Sequence, residues 1–356
     1  MSKSKIILTA DDFGVDDSIN KGIIALAKAD IINSVEILPN YARSIESTLK
    51  LLDETKASNP NLELGVHLTV TSGKPILETD GLLPILCKGH FISAKKTNST
   101  AVPLAIFEEL KRQVEVLKSN DQIWSKVTHL TNHHDALWFF PEYTEMYIDI
   151  ANHFNLPIRN PEVLPSWKEA SYYKFIGPRN ASKEDRRKSK GAYKLRENGA
   201  FESRDLDYYS TNYLDSSHYS LFRTILDSNP YKREKFIEIR QKELRKIFER
   251  IKESHAKQQS PQIVEALFHV REGGLQDSQV KLSLEERTEK GINAFDEFDL
   301  PDYNGITTTY FDGRSIEHDS LFHAHSNGGL KELFEKNQVE KGKWTNCIPR
   351  KLHKKQ

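Results

Sequence analysis

The sequence predicts an α/β protein built on a parallel sheet. Three observations carry that reading: contiguous apolar runs of strand length, amphipathic helices between them, and carboxylate or imidazole side chains where the runs end. Strands covered on both faces need unbroken rather than alternating apolar residues. Their carboxyl ends are where α/β folds place chemistry, because loops there vary while the sheet below stays packed.

The first run, Lys5-Ile6-Ile7-Leu8-Thr9-Ala10, drives into Asp11-Asp12-Phe13-Gly14. Two adjacent carboxylates at a strand end suit catalysis, and equally suit a turn that caps the next helix. Ile19, Ile23 and Leu26 place that helix over residues 18–29. A second strand is expected over 31–38, closed by Pro39-Asn40, with a helix over 44–52 after it. In the third strand, 62–68, alternation puts Leu62, Leu64, Val66 and Leu68 on one face and Glu63, Gly65 and His67 on the other. His67 then points into the mouth of a barrel.

Residues 72–103, rich in Gly, Pro, Ser and Thr, read as a long excursion of the kind that forms lids. Ile106, Leu110, Val114 and Leu117 predict an amphipathic helix over 104–117. The stretch from Lys126 to Asp135 follows. Its histidines His129, His133 and His134, closed by Asp135, are a density of donors that suits divalent ions better than packing. A helix over 146–154 and a strand over 156–161 come next, and Arg159 there is either a solvated strand-end cation or an anchor for substrate polar groups.

Between Pro165 and Pro261 the character changes. Residues 182–194 are dense in Lys and Arg, and 205–219 are rich in Tyr, Ser and Asp, including Tyr208, Tyr209 and Tyr213. The stripe Ile237, Leu244, Ile247, Phe248 and Ile251 returns the chain to the main core. Residues 263–268 form a buried strand ending in His269, a helix is expected over 284–291, and a strand over 306–310. This organisation predicts one barrel domain over 1–326, with 165–260 an atypical insertion, and a polar, Lys-rich tail over 327–356.

Lys plus Arg equals Asp plus Glu at 51 each, so nothing steers the chain toward nucleic acid or an acidic membrane surface. Cys87 and Cys347 lie far apart without metal-type spacing, as expected in a reducing compartment. No signal peptide is evident and no apolar stretch approaches membrane-spanning length, so a soluble cytoplasmic protein is expected. The sequence leaves room for a homo-oligomer.

Strand ends thus offer Asp11, Asp12, His67, His133 and His269, each group a βα unit or more from the next, which is how a barrel assembles a site. One carboxylate and two neutral imidazoles make a three-ligand set for a divalent ion, with a position left for water. Such a site polarises a carbonyl and activates water, as hydrolysis of an amide or ester requires. A second carboxylate takes the proton and a histidine on the opposite wall returns one to the leaving amine; Asp11 and His269 fit those two roles.

Ala10-Asp11-Asp12-Phe13-Gly14, Asn20-Lys21-Gly22-Ile23, Ser34 and Asn40, Gly65-Val66-His67-Leu68-Thr69 and Thr128-His129-Leu130-Thr131-Asn132-His133-His134 follow one another over the first 160 residues. In these the chain resembles the YdjC-like carbohydrate deacetylase family, relatives of the NodB-type polysaccharide deacetylases. The resemblance implies an irregular TIM-like (β/α) barrel, with Asp12, His67 and His133 as metal ligands and Asp11 as base. It implies Mg2+, whereas two imidazoles favour Zn2+ or another transition metal. The implied activity is metal-dependent removal of acetyl groups from N-acetylated sugars or small oligosaccharides. Hydrolysis of a non-sugar amide on the same barrel, or carbohydrate binding without turnover, are the alternatives. The chain departs from the family in having Thr131-Asn132 where Asp-Ser is usual, Asp135 where a histidine is usual, and Val270 after His269 where Pro-Gly is common. These changes touch the groups that support the ligands and the acid step.

Overall fold

β1 (Ser4–Phe13) leads through α1 (Asp17–Lys28), β2 (Ser34–Ile37) and α2 (Ser44–Thr55) to β3 (Glu63–Leu68). A hairpin of β4 (Leu86–Cys87) and β5 (His90–Phe91) precedes α3 (Pro103–Lys118), α4 (Asp121–Trp124), β6 (Val127–Asn132) and α5 (Pro141–Phe154). β7 (Leu206–Ser210), α6 (Tyr231–Gln258), β8 (Ile263–Phe268), α7 (Gly329–Asn337) and β9 (Val339–Lys341) complete the series. The computed structural model describes residues 3–92, 98–159, 184, 206–210, 231–258, 263–270 and 318–347. The helix expected over 284–291 and the strand over 306–310 lie outside the described residues.

The main sheet runs β6–β3–β2–β1–β8–β7, and every pairing in it is parallel. Helices supply the crossovers, as parallel pairing demands. α1 starts where Asp16 accepts from the backbone N–H groups of Ser18 and Ile19, and it buries Ile19, Ile23 and Leu26 against the sheet. Asn20, on the same helix, accepts from Gly14 N–H at 2.7 Å and so pins the loop that leaves β1.

Several expectations shift. β1 continues to Phe13, so Asp11 and Asp12 lie inside the strand rather than after it. β2 is shorter than 31–38, because the Asn33 side chain accepts from Leu8 N–H where a strand backbone would. The 72–103 excursion holds a 3-10 turn at Asp80–Ile85 and the β4–β5 hairpin, and it is anchored by buried Leu82, Ile85 and Phe91. α5 begins at Pro141, ahead of residue 146, with proline at a first-turn position where its missing N–H costs nothing. Of the strand expected over 156–161, residues 156–159 are described and make an isolated parallel bridge, Leu130 with Ile158.

The segment taken as an insertion contributes to the main sheet: β7 pairs in parallel with β8. Part of the tail expected over 327–356 is also structured. Residues 329–337 form α7, β9 pairs with Ser4–Ile6 of β1, and Trp344 is fully buried against Ile7. β2 takes Thr9 to Phe13 while β9 takes Ser4 to Ile6, so the two share the edge of β1 opposite β8. Asn33 joins them, donating to Gly342 O at 2.5 Å. No helix among the described residues is long and apolar enough to cross a membrane.

Candidate active site

Alternation along the strands stacks polar side chains on one face of the sheet. On β3, Glu63 meets the segment carrying Trp344, Gly65 lies against Glu36 and His129, and His67 reaches the site. β6 adds His129 and Thr131 to the same face, β2 adds Ser34 and Glu36, and β8 adds Glu265.

Asp11 belongs to this face, and simple alternation would send Asp12 away from it. Two irregularities bring Asp12 back. The β1–β2 register shifts between Ala10 and Phe13, and Asp12 has φ of 70°, a left-handed conformation that costs a non-glycine residue energy and persists only where surroundings enforce it. Such re-aimed residues cluster at functional sites.

Asp12, His67 and His133 are all buried, and one ligand atom from each lies within 4.8 Å of the others. His133 Nδ1 is 2.9 Å and His67 Nε2 is 3.4 Å from Asp12 Oδ1. Burial pushes the His67 imidazole below its ordinary pKa, with Asp12 opposing, so the ring is neutral at neutral pH, the state in which it ligates. The donor set of one carboxylate and two imidazoles fits a divalent ion. After His133 the chain turns through left-handed His134 and Asp135, at φ of 58° and 51°. The His134 ring lies against that of His133, with centroids 3.8 Å apart and planes tilted by 33°, and its Nδ1 is 3.2 Å from Thr71 Oγ1. Asn132 accepts from Leu137 N–H and closes the turn.

Asp11 stands beside this cluster, its Oδ2 3.8 Å from His67 Nε2. Burial pushes its carboxyl well above the usual range; Arg159 pulls the other way, and the charges of Glu36 and Asp12 add to the rise. His269 follows β8 with Nε2 3.8 Å from Asp12 Oδ2, and its side chain is 19% exposed. The five strand-end residues singled out in the sequence therefore converge.

Arg159 is placed differently from a surface anchor. It is 3% exposed, donates to both Asp11 oxygens at 2.9 and 3.0 Å, and donates to Glu265 at 2.6 and 2.9 Å. Two acids within this interior were missed in the sequence. Glu265 is one. Glu36 is another, accepting from His129 Nε2 at 2.7 Å, Ser34 Oγ at 3.1 Å and Thr131 Oγ1 at 2.8 Å. Burial alone would raise Glu36, but His129 and Arg159 outweigh it and hold the carboxyl at about 2. A Cβ at Gly65 would come within 1.8 Å of Glu36 Oε2 and 2.5 Å of His129 Nε2, so only glycine leaves room for the pair. His129 in turn stacks on Trp344, ring centroids 3.9 Å apart and planes within 9°. The available signal was an acid in the middle of an apolar strand, as in Val35-Glu36-Ile37 and Val264-Glu265-Ala266.

A carbohydrate deacetylase of Enterococcus faecalis (strain ATCC 700802 / V583) is 30% identical over 171 residues, 45% of this chain and 60% of the relative. One of Thermoanaerobacter pseudethanolicus (strain ATCC 33223 / 39E) is 26% identical over 157 residues, 44% of this chain and 59% of the relative. The chain thus spans less than two thirds of the length of these curated relatives. A crystal structure from Enterococcus faecalis V583, of a proposed cellobiose-phosphate cleavage protein, superposes with a TM-score of 0.54 at 17% identity, covering 98% of this chain and all of that one. That likeness concerns the fold. The family described as YdjC-like protein matches residues 5–290, which take in the two aspartates of β1, His67, His133 and His269, and this chain is a member of that family.

Proposed function

We propose that the chain is a metal-dependent carbohydrate deacetylase, hydrolysing the acetamido group of N-acetylated sugars or small oligosaccharides. The observation that carries this reading is a buried carboxylate and two imidazoles gathered within 4.8 Å, with a second buried carboxylate, Asp11, next to them in sequence. The names of the relatives supply the sugar. The parallel sheet is taken as an incomplete, irregular (β/α) barrel whose mouth holds the site.

Asp12, His67 and His133 would hold a divalent ion, which when bound supplies a Lewis acid that polarises the acetyl carbonyl and acidifies water. The two imidazoles favour Zn2+ or another transition metal over Mg2+. Asp11 accepts the proton of the attacking water. Its buried carboxyl is a stronger base than one in solvent, and Arg159 fixes its orientation through two parallel bonds. His269, on the β8 side, gives a proton to the departing amine, a poor leaving group as an anion. Arg159 acts as a positioning residue rather than as a contact to the sugar.

Metal analysis of the full chain, paired with an acetate-release screen over N-acetyl sugars, tests this. About one tightly held ion per chain is expected, lost in His67→Ala, together with acetate release that chelation abolishes. Undiminished metal in His67→Ala rules out the ligand set, and acetate release indifferent to chelation rules out the mechanism.

A further inference from the structure

Glu36, Thr131 and His67 form two buried hydrogen bonds in series: Thr131 Oγ1 lies 2.8 Å from Glu36 Oε2 and 2.7 Å from His67 Nδ1. The Thr131 hydroxyl has one proton to give, and an ionised carboxylate has none. Glu36 also accepts from His129 on its other oxygen, and its carboxyl is held at about 2, so it is ionised at neutral pH. The hydroxyl proton therefore goes to Glu36. The same oxygen then faces His67 only as an acceptor, which requires the proton of the neutral imidazole to sit on Nδ1. Nε2, the nitrogen turned toward Asp12 and Asp11, is left with its lone pair.

We infer that Glu36, through the Thr131 hydroxyl, is a positioning residue that sets the tautomer of His67 and so makes Nε2 the ligating nitrogen. The inference rests on the metal-site reading above. An unconstrained neutral imidazole favours the opposite form, with the proton on Nε2, which would present an N–H to the ion. Glu36 is well placed for this task because its own position is fixed from behind. Gly65 leaves it space, His129 donates to it, and the His129 ring is clamped on Trp344. Trp344 is itself anchored, since its backbone N–H and the backbone N–H and hydroxyl of Thr345 donate to the Glu63 carboxylate.

The test is the protonation pattern of His67 in the full chain, labelled with 15N-histidine, stripped of metal and held at neutral pH. Long-range 1H–15N correlation distinguishes the tautomers, and His67→Gln identifies the signal. The Nδ1–H pattern is expected in the native protein and in Thr131→Ser. In Thr131→Val the Nε2–H form should appear, and calorimetric Zn2+ affinity should fall by about 10- to 100-fold, with Thr131→Ser close to native. An Nε2–H pattern in the native protein overturns the inference without recourse to any variant, as does native Zn2+ affinity in Thr131→Val. Failure of the underlying reading looks different: His67→Gln would then bind Zn2+ as tightly as the native chain, and the inference would fall with it.

Discussion

Arg159 grips Asp11 by two parallel hydrogen bonds of 2.9 and 3.0 Å, and shares the same guanidinium with Glu265. A planar fork matches two carboxylate oxygens at once, and a lysine ammonium does not. Arg159→Lys should therefore lower kcat by about 10²-fold through misplacement of Asp11, with bound metal unchanged and KM little altered. Steady-state kinetics on an acetylated sugar decides this. A rise in KM alone would return Arg159 to the substrate-anchoring role considered from the sequence.

Asp11 adjoins the Asp12, His67 and His133 cluster without belonging to it. Asp11→Asn keeps the shape and removes the basic oxygen, so metal and fold should persist while turnover falls by about 10² to 10⁴-fold. Near-native turnover in this variant would shift the base role to another group, with Asp135 next in line.

Glu36 makes stability depend on pH. Its folded carboxyl titrates at about 2, below its ordinary value of 4.5, so within that window the unfolded chain binds a proton that the folded chain does not. The contribution is present in full above the ordinary value and is lost as pH falls toward 2, an effect on the order of 3 kcal/mol. Glu36→Gln should flatten the acid limb of a urea-unfolding series. An unchanged slope would mean that Glu36 is not held ionised by its neighbours.

His269 faces Asp12 from the β8 side and keeps partial access to solvent. His269→Ala should lose amide turnover by about 10²-fold or more while retaining metal and much of its activity on an activated acetyl ester, whose leaving group needs no proton. Equal losses on both substrates would demote the residue to packing.

The residues that converge on the site were legible because each ends an apolar run, and the order Asp11, Asp12, His67, His133, His269 repeats one positional theme. What holds them was harder to read. Glu36 and Thr131 meet across 95 residues, and Arg159 and Glu265 across 106, and neither separation carries a local pattern. An acid inside an apolar strand looks like a solvated edge until its partners are known. Trp344 escaped for a different reason, since a single aromatic among Lys and polar residues leaves no periodicity, although burial of that one ring docks the whole segment. The placement of Asp12 was also out of reach, because its turn back toward Asp11 depends on a register shift that only the pairing with β2 creates.

The sharing of β1's edge by β2 and β9 sets an order of events in time. The amino-terminal half of that strand lacks its second neighbour until residues 339–341 arrive, and Asn33 waits 309 residues for Gly342. At about 5–20 residues per second, synthesis of that interval lasts roughly 15–60 s. Throughout it, β1 presents an unpaired apolar edge that another nascent chain could extend. The long-range pairing also raises contact order, which slows folding once synthesis is complete. The strand that carries both aspartates is thus made first and secured last.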